Sequence, residues 1–176
     1  MEMRRYPGIF LIATIGMLMI PVASDADDAQ AISKVASHGL DDTSLVVKDK
    51  KVLLFGVQTN GADTKNGKYG CAKVVSVTLR KAGIDIPITL GVAGIETRLN
   101  TWKKIREEDS LQPGDVVIWV SRFKGNKSGA CTGGGTCHVG IKTEKGYFHN
   151  NPLGYQPIFG GLGLASGYKF KVGLRP

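Results

Sequence analysis

The order of the periodic segments along the sequence predicts an α+β domain. Helical patterns come first, at residues 27–38 and 71–82, and strand patterns follow at 116–120, 138–143 and 147–150. Helices that precede a run of antiparallel strands are typical of this class. The chain has 176 residues, 42% of them hydrophobic, and it shows no internal repeat. This is enough chain for a single domain with a core of its own.

Two segments have the apolar spacing of amphipathic helices. Residues 27–38 begin with acidic side chains, which the positive end of a helix dipole favours, and a glycine follows them as a stop. Residues 71–82 end with basic side chains before a glycine, and their apolar positions repeat every three to four residues. Their β-branched residues would also suit a strand, but the spacing favours a helix. A further helix is predicted at 97–107.

The strand predictions start with two short β-type runs inside residues 45–57. The run VVIWV at 116–120 is typical of a buried strand, and the turn QPGD introduces it. The strands at 138–143 and 147–150 flank the residues EKG, which indicate a hairpin. Glycine-rich loops are predicted before Cys71 and before the first strand of this hairpin.

The first 24 residues have the layout of a secretory signal peptide. A basic start precedes the apolar run PGIFLIATIGMLMI at 7–20, and small residues follow that run. The run is shorter than the ~20 residues that a membrane-spanning helix needs, which disfavours an uncleaved anchor. We expect cleavage after Ser24 or after Ala26. The mature chain, taken as residues 25–176, would then be a single domain, secreted or periplasmic in a bacterium, with no stable membrane anchor.

The charge of the chain favours an anionic partner. Lysine and arginine number 23 against 15 acidic residues, and the formal net charge is +8. Removal of the signal peptide takes away two basic residues and one acidic residue and leaves +7. A basic exported domain is expected to bind a polymer such as the cell wall. The lysines are scattered and not interleaved with aromatic residues, so nucleic acid is not a predicted partner.

Cys71 is the candidate nucleophile because it follows a glycine-rich loop and begins a predicted helix. At that position, unpaired backbone N–H groups and the helix dipole are expected to lower the pKa of the thiol and to hold an oxyanion. A cysteine nucleophile also needs a base, usually a histidine, and a group that orients the base. His38 ends a surface helix and is interpreted as structural. His138 and His149 lie on the two arms of the predicted hairpin.

The length of the hairpin loop decides which residue shares a face with His138. Because side chains alternate along a strand, a loop of two or four residues puts His149 on that face. A loop of three residues puts Asn150 there instead. Either side chain is able to bond the second nitrogen of the base, and the residue pattern leaves both open.

Cys131 and Cys137 enclose the flexible residues TGGGT, and we predict that they form a disulfide. Closing so small a ring stabilises the fold by only about 2 kcal/mol, so its main effect would be to hold the loop beside His138. This pairing leaves Cys71 free; a bond from Cys71 to either partner is the alternative. A zinc site that also uses His138 and His149 is disfavoured because its spacing fits no common zinc module.

Four segments in order carry a family resemblance: GKYGCAKVVSVTLRKAGIDIP (67–87), LQPGDVVIW (111–119), CHVGI (137–141) and YFHNN (147–151). Together they resemble the NlpC/P60 family of papain-like cysteine peptidases, which cut bacterial cell-wall peptides. The resemblance covers roughly residues 66–152.

The resemblance implies a papain-like NlpC/P60 fold, with the nucleophile at the start of a helix that packs on an antiparallel β-sheet. It implies Cys71 as nucleophile, His138 as base and His149 as the orienting residue. The hairpin is one residue shorter than is common in the family, so Asn150 stays an alternative third residue. The family usually has Asp-Cys-Ser-Gly where this sequence has GCAK at 70–73, a departure that bears on substrate preference.

The activity implied is hydrolysis of amide bonds in peptidoglycan stem peptides, at the γ-D-glutamyl–diamino acid bond, through an acyl-enzyme. The backbone amide of Cys71 would bind the oxyanion, and Tyr69 is a further candidate donor by its proximity. No metal and no organic cofactor is expected. One alternative is an N-acetylmuramoyl-L-alanine amidase or an acyltransferase with the same dyad. Another is a basic wall-binding protein without turnover. The expected partner is peptidoglycan; an immunity or inhibitor protein is left open.

Overall fold

Three α-helices and nine β-strands make up the part of the chain that the structure describes, which is residues 24–122, 131, 137–151, 156–160 and 167–176 of a computed structural model. The helices are α1 (Asp25–Ser37), α2 (Cys71–Lys81) and α3 (Val92–Arg98). The strands are β1 (Leu45–Lys48), β2 (Lys51–Leu54), β3 (Val57–Gln58), β4 (Lys103–Ile105), β5 (Val116–Ser121), β6 (Cys137–Thr143), β7 (Gly146–Asn151), β8 (Gln156–Gly160) and β9 (Tyr168–Arg175).

Both sheets are antiparallel. The first three strands form a small sheet in the order β1-β2-β3, and the other six form a sheet in the order β4-β9-β5-β6-β7-β8. All six residues of β5 are buried, as expected for a strand near the middle of the larger sheet. The predicted α+β class is therefore confirmed.

Two of the predicted helices and three of the predicted strands are confirmed, among them those that carry the predicted site. The predicted helices at 27–38 and 71–82 correspond to α1 and α2, and the strands at 116–120, 138–143 and 147–150 correspond to β5, β6 and β7. The acidic first turn of α1 and the basic last turn of α2 are both present, as the dipole argument requires. The local apolar pattern was sufficient to predict these elements because the apolar side chains of each segment also face the core.

The helix predicted at 97–107 is wrong. Helix α3 lies earlier in the chain, where Val92, Ile95 and Leu99 are buried at helical spacing, and it ends before Leu99. The residues that follow form β4, whose Ile105 pairs with Gly173 of the last strand. Pairing with a strand about seventy residues away overrode the local helical preference of this basic segment, and no short-range signal announces it.

Helix α1 begins with a capping box formed by Ser24 and Asp27. The Asp27 backbone N–H donates to Ser24 Oγ at 3.3 Å, and the Ser24 backbone N–H donates to Asp27 Oδ2 at 3.1 Å. Cleavage after Ser24 or after Ala26 would remove this cap from the mature helix. The apolar run at 7–20 lies outside the described residues. Within them, no helix is both long and apolar enough to cross a membrane.

The larger sheet has a different apolar cluster on each of its faces. The helices pack on one face, where Val139 and Ile141 of β6 join the main core with residues of α1 and α2. The other face carries a smaller cluster around Trp119 and Tyr147. Because side chains alternate along β6, His138 points to this second face, and its ring lies 6.0 Å from that of Trp119.

Candidate active site

Cys71 is the first residue of α2, as predicted, and all three cysteines lie among the described residues, with Cys71 the free one. The N-cap is Gly70, which supplies no side-chain cap to the helix. The backbone N–H groups of Cys71, Ala72 and Val139 point to the sulfur. Since Val139 directly follows His138, the start of α2 and the start of β6 meet at this thiol.

The pKa of the Cys71 thiol is raised, and the prediction that it is lowered is wrong. Burial is the largest influence and raises the pKa, because a thiolate loses its hydration in the packed surroundings of α2 and β6. The three backbone N–H groups act in the opposite direction and do not outweigh burial. The resting residue is therefore a neutral thiol that retains partial exposure.

His138 and His149 form a close pair on the second face of the sheet. His138 Nε2 lies 3.2 Å from His149 Nδ1, and the two rings are nearly perpendicular, with centroids 5.0 Å apart. The hairpin turns through two residues, and Gly140 is opposite His149 in the register. The loop therefore has the length that puts His149, not Asn150, on the face of His138.

Both imidazoles are neutral at neutral pH. Burial, and to a smaller extent the charge of His149, lower the pKa of His138 to about 3. Burial also lowers the pKa of His149. The Asn150 carbonyl, which accepts from His149 Nδ1 at 3.1 Å, has the opposite effect but does not outweigh burial. A carbonyl only accepts, so it assigns the His149 proton to Nδ1. His138 Nε2 then accepts from the same N–H and its own proton is on Nδ1.

Gly160 of β8 makes the position of His149 possible. A Cβ placed on Gly160 would lie 2.8 Å from His149 Nε2, closer than real side chains come. Gly160 pairs with Tyr147, which is two residues before His149 on the adjacent strand. The sequence offered no signal for this role, because a glycine at a strand end usually indicates only a turn.

Tyr168, at the start of β9, is the residue that the sequence analysis missed. Its ring centroid lies 5.9 Å from that of His138. Burial raises the pKa of its hydroxyl, and the Cys71 thiol would raise it further once ionised, so Tyr168 lies near Cys71 as well as near the His138 ring. It comes almost a hundred residues after Cys71, and only the pairing of β9 with β5 brings it here.

The Tyr69 ring contacts two lysine side chains. The ammonium groups of Lys65 and Lys68 lie 5.2 Å and 5.7 Å from its ring centroid. In the part of the chain that the structure describes, no hydrogen bond joins the Cys71 thiol to Tyr69, and none joins it to His138. His138 and His149 are therefore in direct contact. Cys71 contacts the backbone of Val139, next to His138, and makes no hydrogen bond with the His138 ring among the described residues.

In the structure a disulfide joins Cys131 to Cys137. It attaches residue 131 to the first residue of β6, immediately before His138. Lys171 Nζ lies 3.7 Å from Cys131 Sγ and also pairs with Glu96 at 2.8 Å. Among the described residues, no cluster of three or more His, Cys, Asp or Glu side chains is arranged to hold a metal ion.

Lys73 lies in the first turn of α2, two residues after Cys71, and forms an ion pair with Asp63. A lysine in the first turn of a helix is unfavourable to the dipole, but Lys73 Nζ bonds Asp63 Oδ2 at 2.6 Å. This hydrogen bond is the main cause of the lowered pKa of Asp63. The pair ties the first turn of α2 to the loop that leads to Cys71.

Comparisons with protein families, with characterised proteins and with solved structures found no match to this chain. The fold and the site define an α+β protein with a free thiol at a helix N-terminus, in contact with the backbone of the residue that follows one member of a buried histidine pair.

Proposed function

We propose that the protein is an exported cysteine hydrolase with a papain-like, NlpC/P60-type fold that cleaves amide bonds in peptidoglycan stem peptides. The bond that we assign is the γ-D-glutamyl–diamino acid bond. The observation that carries this proposal is the convergence of three features: the free thiol at the start of α2, its contact with the N–H beside His138, and the 3.2 Å contact between the two imidazoles. The positive net charge suits an anionic wall polymer.

In the proposed mechanism, both histidines first move their proton from Nδ1 to Nε2 by exchange with water. His138 Nδ1 then takes the Cys71 proton as the sulfur attacks the substrate carbonyl. The backbone N–H of Cys71 donates to the developing oxyanion, and the Tyr168 hydroxyl is the second donor that we propose. Collapse of the tetrahedral intermediate breaks the amide bond, and the imidazolium returns the proton to the leaving amine. Water then attacks the thioester with His138 as base, which releases the acid and regenerates the thiol.

The pKa directions indicate that proton transfer accompanies attack. A thiol of raised pKa beside an imidazole with a pKa of about 3 does not rest as a thiolate–imidazolium pair. A charged His138 has N–H groups on both nitrogens, so its Nε2–H must be accepted by His149 Nδ1. His149 then has to carry its own proton on Nε2. The proposed role of His149 is this change of tautomer, which stabilises the imidazolium.

A wall-binding protein without turnover is the second candidate. It is favoured by the neutral, half-buried thiol and by the lack, among the described residues, of a hydrogen bond between Cys71 and His138. In this alternative the basic surface binds the wall polymer, and Cys71 is a small core residue at the end of a helix.

Digestion of purified peptidoglycan tests the proposal, with products identified by mass. The protein is expected to release fragments cut at the γ-D-glutamyl bond, and Cys71→Ala and His138→Ala are expected to release none. His38→Ala is the matched control, since His38 is an exposed histidine that pairs with Asp41. Fragments cut between the sugar and L-alanine would indicate the amidase, and transfer to an added amine the acyltransferase. Wall binding with no products from any form would support the second candidate.

A further inference from the structure

Asn150 connects the hairpin that carries the histidine pair to the loop that carries the cysteine. Its side chain points to the helix side of the sheet, and Nδ2 donates to the Gly67 carbonyl at 2.7 Å. The residue is 1% exposed, so this hydrogen bond is shielded from water. Its own backbone carbonyl accepts from His149 Nδ1 at 3.1 Å.

The Gly67 carbonyl belongs to the turn that leads directly into α2. It accepts from the Gly70 N–H at 3.0 Å as well as from Asn150. Gly70 is closely surrounded, because a Cβ there would lie 3.3 Å from Asn150 Cγ and 3.2 Å from the Gly67 and Thr59 carbonyl oxygens. The amide of Asn150 therefore packs on the N-cap residue of α2 and bonds the turn before it.

We propose that Asn150 is a positioning residue, which fixes the start of helix α2, and with it the Cys71 thiol, relative to the His138–His149 pair. One residue holds both parts: its carbonyl bonds the ring of His149, and its amide bonds the turn next to Cys71. Asn150 Oδ1 is buried and has no hydrogen-bond partner among the described residues. The side chain therefore leaves one of its polar atoms unsatisfied in order to make the bond from Nδ2 to Gly67. This inference rests on the proposed function, in which Cys71 is the nucleophile.

The test is the rate at which iodoacetamide alkylates Cys71 across a range of pH in Asn150→Ala. Cys71 is the free cysteine of the chain, so the rate reports on this thiol. Loss of the tether is expected to expose the thiol and bring its raised pKa back toward the ordinary value. A fall of about one pH unit increases the thiolate fraction, and with it the rate near neutrality, about tenfold. Peptidoglycan hydrolysis should fall at the same time.

Asn60→Ala is the matched control. Asn60 Nδ2 donates to the Lys50 carbonyl at 2.7 Å, a bond from a side-chain amide to a backbone carbonyl of the same length, at the turn between β1 and β2. This variant should alkylate within about twofold of the unmodified protein, since it leaves the α2 turn intact. Asn150→Asp, which keeps the volume and loses the amide donor, replaces Asn150→Ala if that variant does not fold.

Several outcomes separate this inference from the proposed function. An unchanged alkylation profile in a folded Asn150 variant would overturn the inference, and so would equal changes in the Asn60 and Asn150 variants. If the profile shifts as expected but the unmodified protein does not cleave peptidoglycan, the positioning of the thiol stands and the proposed hydrolase fails.

Discussion

His138 Nε2 and His149 Nδ1 lie 3.2 Å apart, and the Asn150 carbonyl lies 3.1 Å from the same His149 nitrogen. Two groups thus compete for one N–H. The carbonyl fixes the resting tautomer of His149, and that tautomer makes His138 an acceptor at Nε2. The pair is therefore at rest in a form different from the one that the proposed proton transfer requires.

We expect nuclear magnetic resonance to find both neutral histidines protonated at Nδ1. Long-range ¹H–¹⁵N correlations distinguish the two nitrogens of each ring, and His138→Gln and His149→Gln assign the signals. His149 protonated at Nε2 in the resting protein would contradict this prediction, because its Nδ1 would then face the carbonyl with a lone pair. It would also remove the tautomer change from the mechanism.

Stability should fall as the pH is lowered below the ordinary histidine pKa. Both buried histidines have folded pKa values below their unfolded values, so the unfolded state binds more protons in this range. Their contribution is complete above about pH 6.5 and is lost as the pH falls, by up to about 1.4 kcal/mol per pH unit for each group. For His138 the loss continues toward its folded pKa of about 3.

Urea unfolding at several pH values measures this loss. His138→Gln removes one of the two groups and should give a shallower dependence on pH than the unmodified protein. His38→Gln, at an exposed position, is the control and should keep the full dependence. Equal slopes in the unmodified protein and in His138→Gln would show that His138 does not stay neutral in the folded state.

Gly160→Ala should reduce peptidoglycan hydrolysis by about a hundredfold, the cost of roughly 1 Å of misplacement in a catalytic group. The added methyl would lie 2.8 Å from His149 Nε2 and would push the ring away from His138. Gly91→Ala is the control, because a Cβ at Gly91 meets nothing within 4 Å. Initial rates of fragment release provide the measurement, and full activity in Gly160→Ala would show that the position of His149 is not limiting.

The sequence predicted what depends on local pattern and missed what depends on distant pairing. Cys71 could be placed at a helix start because glycine, spacing and charge all act within a few residues. The two-residue turn of the hairpin was one of two open alternatives, and its strand register selected His149. The positions of Tyr168 and of β4 depend on the pairing of β9 with β5 and with β4. No pattern of neighbouring residues in the sequence indicates this pairing. The predicted direction of the Cys71 pKa shift was wrong because burial, its largest cause, depends on the folded surroundings of the thiol.

Replacing both Cys131 and Cys137 with serine should destabilise the protein by about 2 kcal/mol, the chain-entropy value for so small a ring. Thermal and urea unfolding of the oxidised protein and the double variant measure the difference. In denaturant without reductant, the oxidised protein should have one titratable thiol, and after reduction it should have three. Three titratable thiols before reduction would contradict the disulfide. If the double variant is as stable as the oxidised protein, the disulfide does not stabilise the fold and acts only on the loop before His138.

Tyr168→Phe should lower kcat for peptidoglycan fragments by about tenfold to a thousandfold, since removal of one oxyanion donor has costs up to this size. The ring is kept, so its packing against His138 remains and KM should change little. Tyr69→Phe is the matched control, because the recorded contacts of Tyr69 are with Lys65 and Lys68. Steady-state kinetics on a soluble stem peptide separate kcat from KM. If Tyr69→Phe lowers kcat and Tyr168→Phe does not, the donor is the tyrosine that precedes the helix, and the contact of Tyr168 with His138 serves packing alone.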